Sequence, residues 1–122
     1  MNLTFVEAEW FTKRLKARLH DNEYMQLQQA LLRNPASGDA MPGCGGLRKL
    51  RWGDARKGRG KSGAFRVIYL WIPQAFRIDL LDIYGKNEKQ DLSAKEQKDL
   101  GKLAGLVKQE AVAWYQRSKG KL

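Results

Sequence analysis

Leu3 and Phe5 alternate with Asn2 and Thr4, a period-two pattern that predicts a short strand at the start of the chain. The period then changes. Trp10, Phe11, Leu15 and Leu19 recur at helical spacing with Lys13, Arg14, Lys16 and Arg18 between them, which predicts an amphipathic helix. A second helix follows, with Asp21 as N-cap, Glu23 in its first turn, Tyr24, Leu27, Leu31 and Leu32 as its apolar stripe, and Asn34-Pro35 as its stop. The short connection makes the two a helical hairpin.

Residues 35–46 hold Pro35, Ser37, Gly38, Pro42, Gly43, Gly45 and Gly46 and read as a loop. Leu47 to Trp52 resumes as a strand, with Leu50 and Trp52 on one face and Lys49 and Arg51 on the other. Gly53 to Gly63 is a basic loop, Ala64 to Ile72 a strand rich in β-formers, and Pro73-Gln74 turns it into a further strand from Phe76 to Tyr84. Ser93 and Glu96 have the spacing of a capping box, opening a last helix with the stripe Leu100, Leu103, Val107, Ala111 and Trp114. In that helix Gly101 and Gly105 permit close packing.

The order along the chain is β-α-α-β-β-β-α. Strands joined by short connections pair antiparallel, so the pattern predicts an α+β fold: a small antiparallel sheet with an N-terminal helical hairpin and a C-terminal helix. Trp10, Phe11, Trp71, Phe76 and Trp114 fall on apolar stripes and are expected in the core. No internal repeat is visible, and 122 residues of 43% hydrophobic content suit one core, so 1–122 reads as a single domain.

Charge adds a location. The net charge is +10. Between Leu47 and Arg66 lie eight cations (Arg48, Lys49, Arg51, Arg56, Lys57, Arg59, Lys61 and Arg66) and one acid, Asp54. The flanking segments are near balance, so the excess belongs to this glycine-rich stretch and implies a polyanionic partner, RNA foremost. The longest apolar run, Val67 to Ile72, is far short of the roughly 20 residues of a spanning helix, and Glu7 and Glu9 interrupt any signal-like N-terminus. A cytoplasmic protein with no membrane partner is expected. One cysteine, Cys44, and one histidine, His20, supply neither an internal disulfide nor a zinc set, so no metal or other cofactor is expected. His20, at the junction of the first two helices, reads as structural.

Four segments in order, Gly45-Gly46-Leu47-Arg48-Lys49-Leu50-Arg51, a Gly/Lys/Arg loop, Gly63-Ala64-Phe65-Arg66-Val67-Ile68-Tyr69 and Ile83-Tyr84-Gly85-Lys86-Asn87-Glu88, give the chain its family likeness. The set resembles the RelE/HigB superfamily of bacterial toxins, closest to the HigB-type branch, and the order of elements resembles that family's fold. The resemblance implies the toxin of a two-gene toxin-antitoxin system, a ribosome-dependent endoribonuclease that cleaves mRNA in the A site without a metal. It implies as partners the ribosome and a cognate antitoxin, HigA-like and carrying a helix-turn-helix.

Metal-free cleavage requires the 2′-hydroxyl to attack the adjacent phosphate in line, with a base for its proton, charge stabilisation on the phosphorane and an acid for the 5′-oxygen. Arg66 matches the arginine of the family's Gly-x-x-Arg-x-x-Tyr strand pattern and suits the phosphorane, because its planar fork donates two hydrogen bonds to phosphate oxygens. Its alternation with Ile68 and Leu70 also permits a structural ion pair to Asp79 or Asp82. Lys57 or Lys61, in a dense cationic cluster, are candidates for base and phosphate clamp. Arg48, Lys49, Arg51, Arg56 and Arg59 are candidates to grip phosphates. After the last strand the sequence departs from the best-known family pattern, holding Asn87 where an arginine follows Gly-Lys and, approximately, Ser93 where a tyrosine lies. Lys86 becomes the candidate leaving-group acid, Tyr84 a base stack, proton carrier or core residue, and Asn87 a base-orienting or turn residue. Two other readings compete: a ParE-like inhibitor of DNA gyrase, and a non-catalytic RNA-binding module.

Overall fold

The computed structural model describes residues 2–53, 65–89 and 91–120. Its strands are β1 (Thr4–Glu7), β2 (Asp39–Ala40), β3 (Leu47–Trp52), β4 (Phe65–Ile72) and β5 (Arg77–Gly85), and its helices α1 (Glu9–Lys16), α2 (Asp21–Arg33) and α3 (Ala94–Gly120). The strands form one sheet in the order β1-β5-β4-β3-β2. Strands β2 to β5 pair antiparallel in sequence order, as short connections require. One pairing departs from the expected antiparallel sheet: β1 runs parallel to β5. The hairpin helices and three strands separate that pair in sequence, so no tight turn dictates its direction. β2 is a two-residue addition within the segment expected to be loop, pairing Asp39 with Lys49 and Ala40 with Arg48.

The sheet carries a core on each face. On one side Phe11, Leu15, Leu19, Leu27 and Leu31 of the helical hairpin pack with Val67, Tyr69, Ile78, Leu80 and Ile83. On the other, Leu47, Ile68, Leu70, Leu81 and Tyr84 meet Ala104 and Ala111 of α3. Fully burying each large apolar side chain contributes about 1.5–3 kcal/mol, so both helical layers are held chiefly by their stripes. The N-cap of α2 is His20, one residue before the expected Asp21, because Glu23 reaches back to accept from the His20 amide at 2.8 Å. At α3 the expected capping box forms: the Glu96 amide donates to Ser93 Oγ (3.1 Å) and the Ser93 amide to Glu96 Oε1 (2.9 Å).

Two aromatic expectations fail. Trp10 is 40% exposed and Phe76 43%. Adjacent helical residues diverge by about 100°, so with Phe11 buried Trp10 must turn outward. Phe76 ends a 3₁₀ turn (Pro73–Ala75) with φ of 47°, a left-handed conformation that directs its ring toward Tyr115, 5.7 Å away. In α3 the core-facing stripe is Leu100, Ala104, Val107, Ala111 and Tyr115, and Leu103 and Trp114 lie beside it. Small residues there bring the helix close to the loop before β3. Gly45, at φ +68°, lies so near α3 that a Cβ would sit 2.9 Å from the Gly101 carbonyl oxygen, whereas Gly105 faces open space. Among the described residues no helix is long and apolar enough to cross a membrane.

Candidate nucleic-acid interface

The register of the central strands builds a cationic row. Arg51 of β3 stands directly opposite Arg66 of β4, which stands opposite Tyr84 of β5. Lys49 faces Ile68 one step along the same sheet face. A bulge helps set this row: Ile68 pairs with Asp82 and Tyr69 with Leu80, leaving Leu81 as the extra residue. Like charges directly opposite across an antiparallel pair are destabilising, so setting Arg51 against Arg66 concentrates positive charge at some cost to the sheet.

The turn after β5 closes the site. Gly85 accepts from the Glu88 amide at 2.9 Å, and its own amide donates to Glu88 Oε1 at 3.1 Å. The same carboxylate takes a hydrogen bond from Arg18, beyond the end of α1. The Arg18 guanidinium first, and the Gly85 amide second, hold the Glu88 carboxyl below its ordinary value. This clamp fixes the turn that presents Lys86 and Asn87, both exposed. Together Lys49, Arg51, Arg66, Lys86, Asn87 and Asp91 line an open cleft of about 480 Å³.

Tyr84 lies beneath these groups, 1% exposed, and its hydroxyl has no hydrogen-bond partner among the described residues. Lys89 Nζ sits 4.9 Å from the ring centroid and also donates to Glu96 at 2.7 Å. Burial first, then the Asp91 carboxylate, pushes the Tyr84 phenol up to about 12, and Arg66 opposes the shift. So enclosed a ring has no face for a base, which removes the stacking role considered for it. What remains is a buried hydroxyl coupled electrostatically to two cleft residues.

The cleft thus unites Lys49, Arg51, Arg66, Lys86 and Asn87 from the candidates, and Tyr84 below them. Arg48 requires a correction. It points to the opposite face, where its guanidinium donates to the carbonyls of Ala36 (3.2 Å) and Gly38 (2.8 Å) and braces the loop before β2. Tyr69 supports the same loop, donating to the Pro35 carbonyl (2.8 Å) and accepting from the Gly38 amide (2.9 Å). Arg56, Lys57, Arg59 and Lys61 lie outside the described residues. The acids proposed as structural partners of Arg66 have other engagements, Asp79 with Arg77 and Asp82 with Arg14. Asp91 and Lys89 are not among the residues the sequence pattern singles out, and the one signal there is that three charged residues, Glu88, Lys89 and Asp91, follow the Gly85-Lys86-Asn87 turn within four positions.

No family model matches the chain. Solved structures do share its architecture. The intact E. coli RelBE toxin-antitoxin complex contains a chain with a TM-score of 0.51 at 15% identity, over 69% of this chain and 96% of that one. A double mutant of the E. coli toxin RelE in the free state gives a TM-score of 0.52 at 15% identity, over 74% and 90%. The chain therefore has a RelE-like fold.

Proposed function

We propose that this chain is the toxin of a toxin-antitoxin pair and that it cleaves mRNA in the ribosomal A site. The observation that carries the reading is the Arg51–Arg66 cross-strand pair at the centre of a cleft shared with Lys49 and Lys86. The likeness to RelE, solved with its antitoxin in the RelBE complex, supports an antitoxin as partner. The sequence motifs add the HigB-type branch and an antitoxin with a helix-turn-helix.

In this reading Arg66 holds the non-bridging oxygens of the scissile phosphate and meets the charge that develops on the phosphorane. Arg51 and Lys49 grip neighbouring phosphates, Asn87 orients a base, and Lys86 protonates the departing 5′-oxygen. Tyr84, 1% exposed, forms part of the floor beneath these groups rather than touching the RNA. The cleft's donor set suits phosphate rather than a divalent cation, since among the described residues four cations surround a single carboxylate. Arg56, Lys57, Arg59 and Lys61 of the basic loop extend the grip, with Lys57 or Lys61 as clamps.

Induced expression tests the reading. It should arrest growth and fragment mRNA, with primer extension locating cuts inside codons, while Arg66→Ala folds and relieves toxicity. Intact mRNA during arrest would overturn it; an SOS response would then favour a ParE-like gyrase poison, and absence of toxicity a plain RNA-binding module.

A further inference from the structure

Nuclease chemistry requires a proton acceptor, and in their charged forms the lysines and arginines described in the cleft offer none. A lysine ammonium and an arginine guanidinium have donors only, and an amide oxygen such as that of Asn87 is a poor base, whereas a carboxylate has acceptors only. Among the described residues, Asp91 is the single carboxylate on the cleft wall.

Its geometry separates its two oxygens. Oδ1 accepts from the Leu92 amide at 2.9 Å and from Lys49 Nζ at 3.3 Å. Oδ2 makes no hydrogen bond among the described residues. The Lys49 side chain is only 19% exposed, so it fixes the carboxylate from below, while Asp91 itself remains 53% exposed. Among the described residues, the charged and titratable groups around it are Lys49 and Arg51 on β3, Arg66 on β4, Tyr84 on β5, Lys86 and Lys89 in the following segment, and Glu96 on α3. Cations dominate that set, so an anionic RNA can approach a carboxylate there without net repulsion.

We propose that Asp91 Oδ2 accepts the proton of the attacking 2′-hydroxyl, an inference that rests on the nuclease reading above. The 2′-oxygen forms a bond to phosphorus as Asp91 takes its proton. The bond from phosphorus to the 5′-oxygen breaks, and Lys86 gives that oxygen a proton. A 2′,3′-cyclic phosphate and a 5′-hydroxyl result, and the proton on Asp91 returns to Lys86 through solvent.

The test is single-turnover cleavage of a defined mRNA in the A site of purified ribosomes. Asp91→Asn should slow cleavage by about 10²-fold or more, with toxin binding unchanged or tighter because a negative charge has left a cationic cleft. An mRNA with sulfur in place of the scissile 5′-oxygen has a leaving group that needs no proton. It should restore Lys86→Ala and leave Asp91→Asn slow. Cleavage by Asp91→Asn at the wild-type rate or above would overturn the proposal and make the carboxylate an internal counter-ion that phosphate displaces. A defect confined to binding, or rescue of Asp91→Asn by the sulfur substrate, would overturn it equally. If wild-type protein leaves A-site mRNA intact, the nuclease reading itself fails, an outcome separable from every defect specific to Asp91→Asn.

Discussion

Replacing Arg51 and Lys86 together by alanine removes two of the four cations that line the cleft, and both side chains are exposed, so the fold loses little. Each phosphate contact to a single strand contributes about 0.7 to the slope of log affinity against log salt. If both residues touch phosphate, the double variant should shallow that slope by about 1.4. Between about 50 and 200 mM salt, its affinity for a labelled single-stranded RNA would then fall about 7-fold less than that of the wild type. Fluorescence anisotropy across a salt series reads this directly. Arg48→Gln is the control: it removes one charge from β3, the strand that carries Arg51, but from a guanidinium committed to the Ala36 and Gly38 carbonyls. Its slope should match the wild type, and its cost should appear as about 1–3 kcal/mol of stability, the penalty for leaving those acceptors without their charged donor. An unchanged slope in the double variant, or an equal loss in Arg48→Gln, would refute the assignment of the cleft as the phosphate-binding face.

Two further predictions concern the scaffold. Arg77 is 5% exposed, donates to both Asp79 oxygens (2.7 and 2.8 Å) and to Glu110 (2.8 Å), and lies 5.3 Å from the centroid of the Trp114 ring. Arg77→Met leaves the buried Asp79 carboxylate without its cation and should cost about 3–5 kcal/mol in urea unfolding, most of it recovered in Arg77→Met/Asp79→Leu; a loss below about 1 kcal/mol would contradict the role of this network in docking α3. In acid, the Lys89 ammonium first and the Ser93 amide second hold the Glu96 carboxyl down at about 2, against an ordinary value of 4.5. The unfolded chain therefore takes up that proton first, so the contribution is complete above pH 4.5 and is lost as pH falls toward 2. Because the Glu96 side chain is 43% exposed, the loss should stay under about 1 kcal/mol. Thermal melts of Glu96→Gln at low salt should show a flatter acid limb, and an unchanged limb would assign the pair no part in stability.

Periodicity was a sufficient guide wherever a residue's environment depended on its near neighbours. The helical hairpin, the strand Leu47–Trp52 and the Ser93–Glu96 capping box follow from spacing, because helix and strand geometry repeat over a few residues. The alternation that set Lys49 and Arg51 apart from Leu50, and aligned Arg66 with Ile68, made the cationic face itself legible. Strand alternation could also have warned that Arg48 lies on the opposite face; treating the basic stretch as one patch concealed it.

Other features depended on pairings between distant segments. The parallel partner of β1, the bulge at Leu81 and the carbonyls that engage Arg48 are matters of register and docking, which no local period encodes. Asp91 reaches Lys49 across 42 positions of chain. The sequence by itself determined that this protein concentrates positive charge on one strand-loop-strand segment. Only the tertiary structure decided which of those cations share a cleft and set a carboxylate among them, because strand register and the clamped turn after β5 bring together side chains that sequence distance keeps apart.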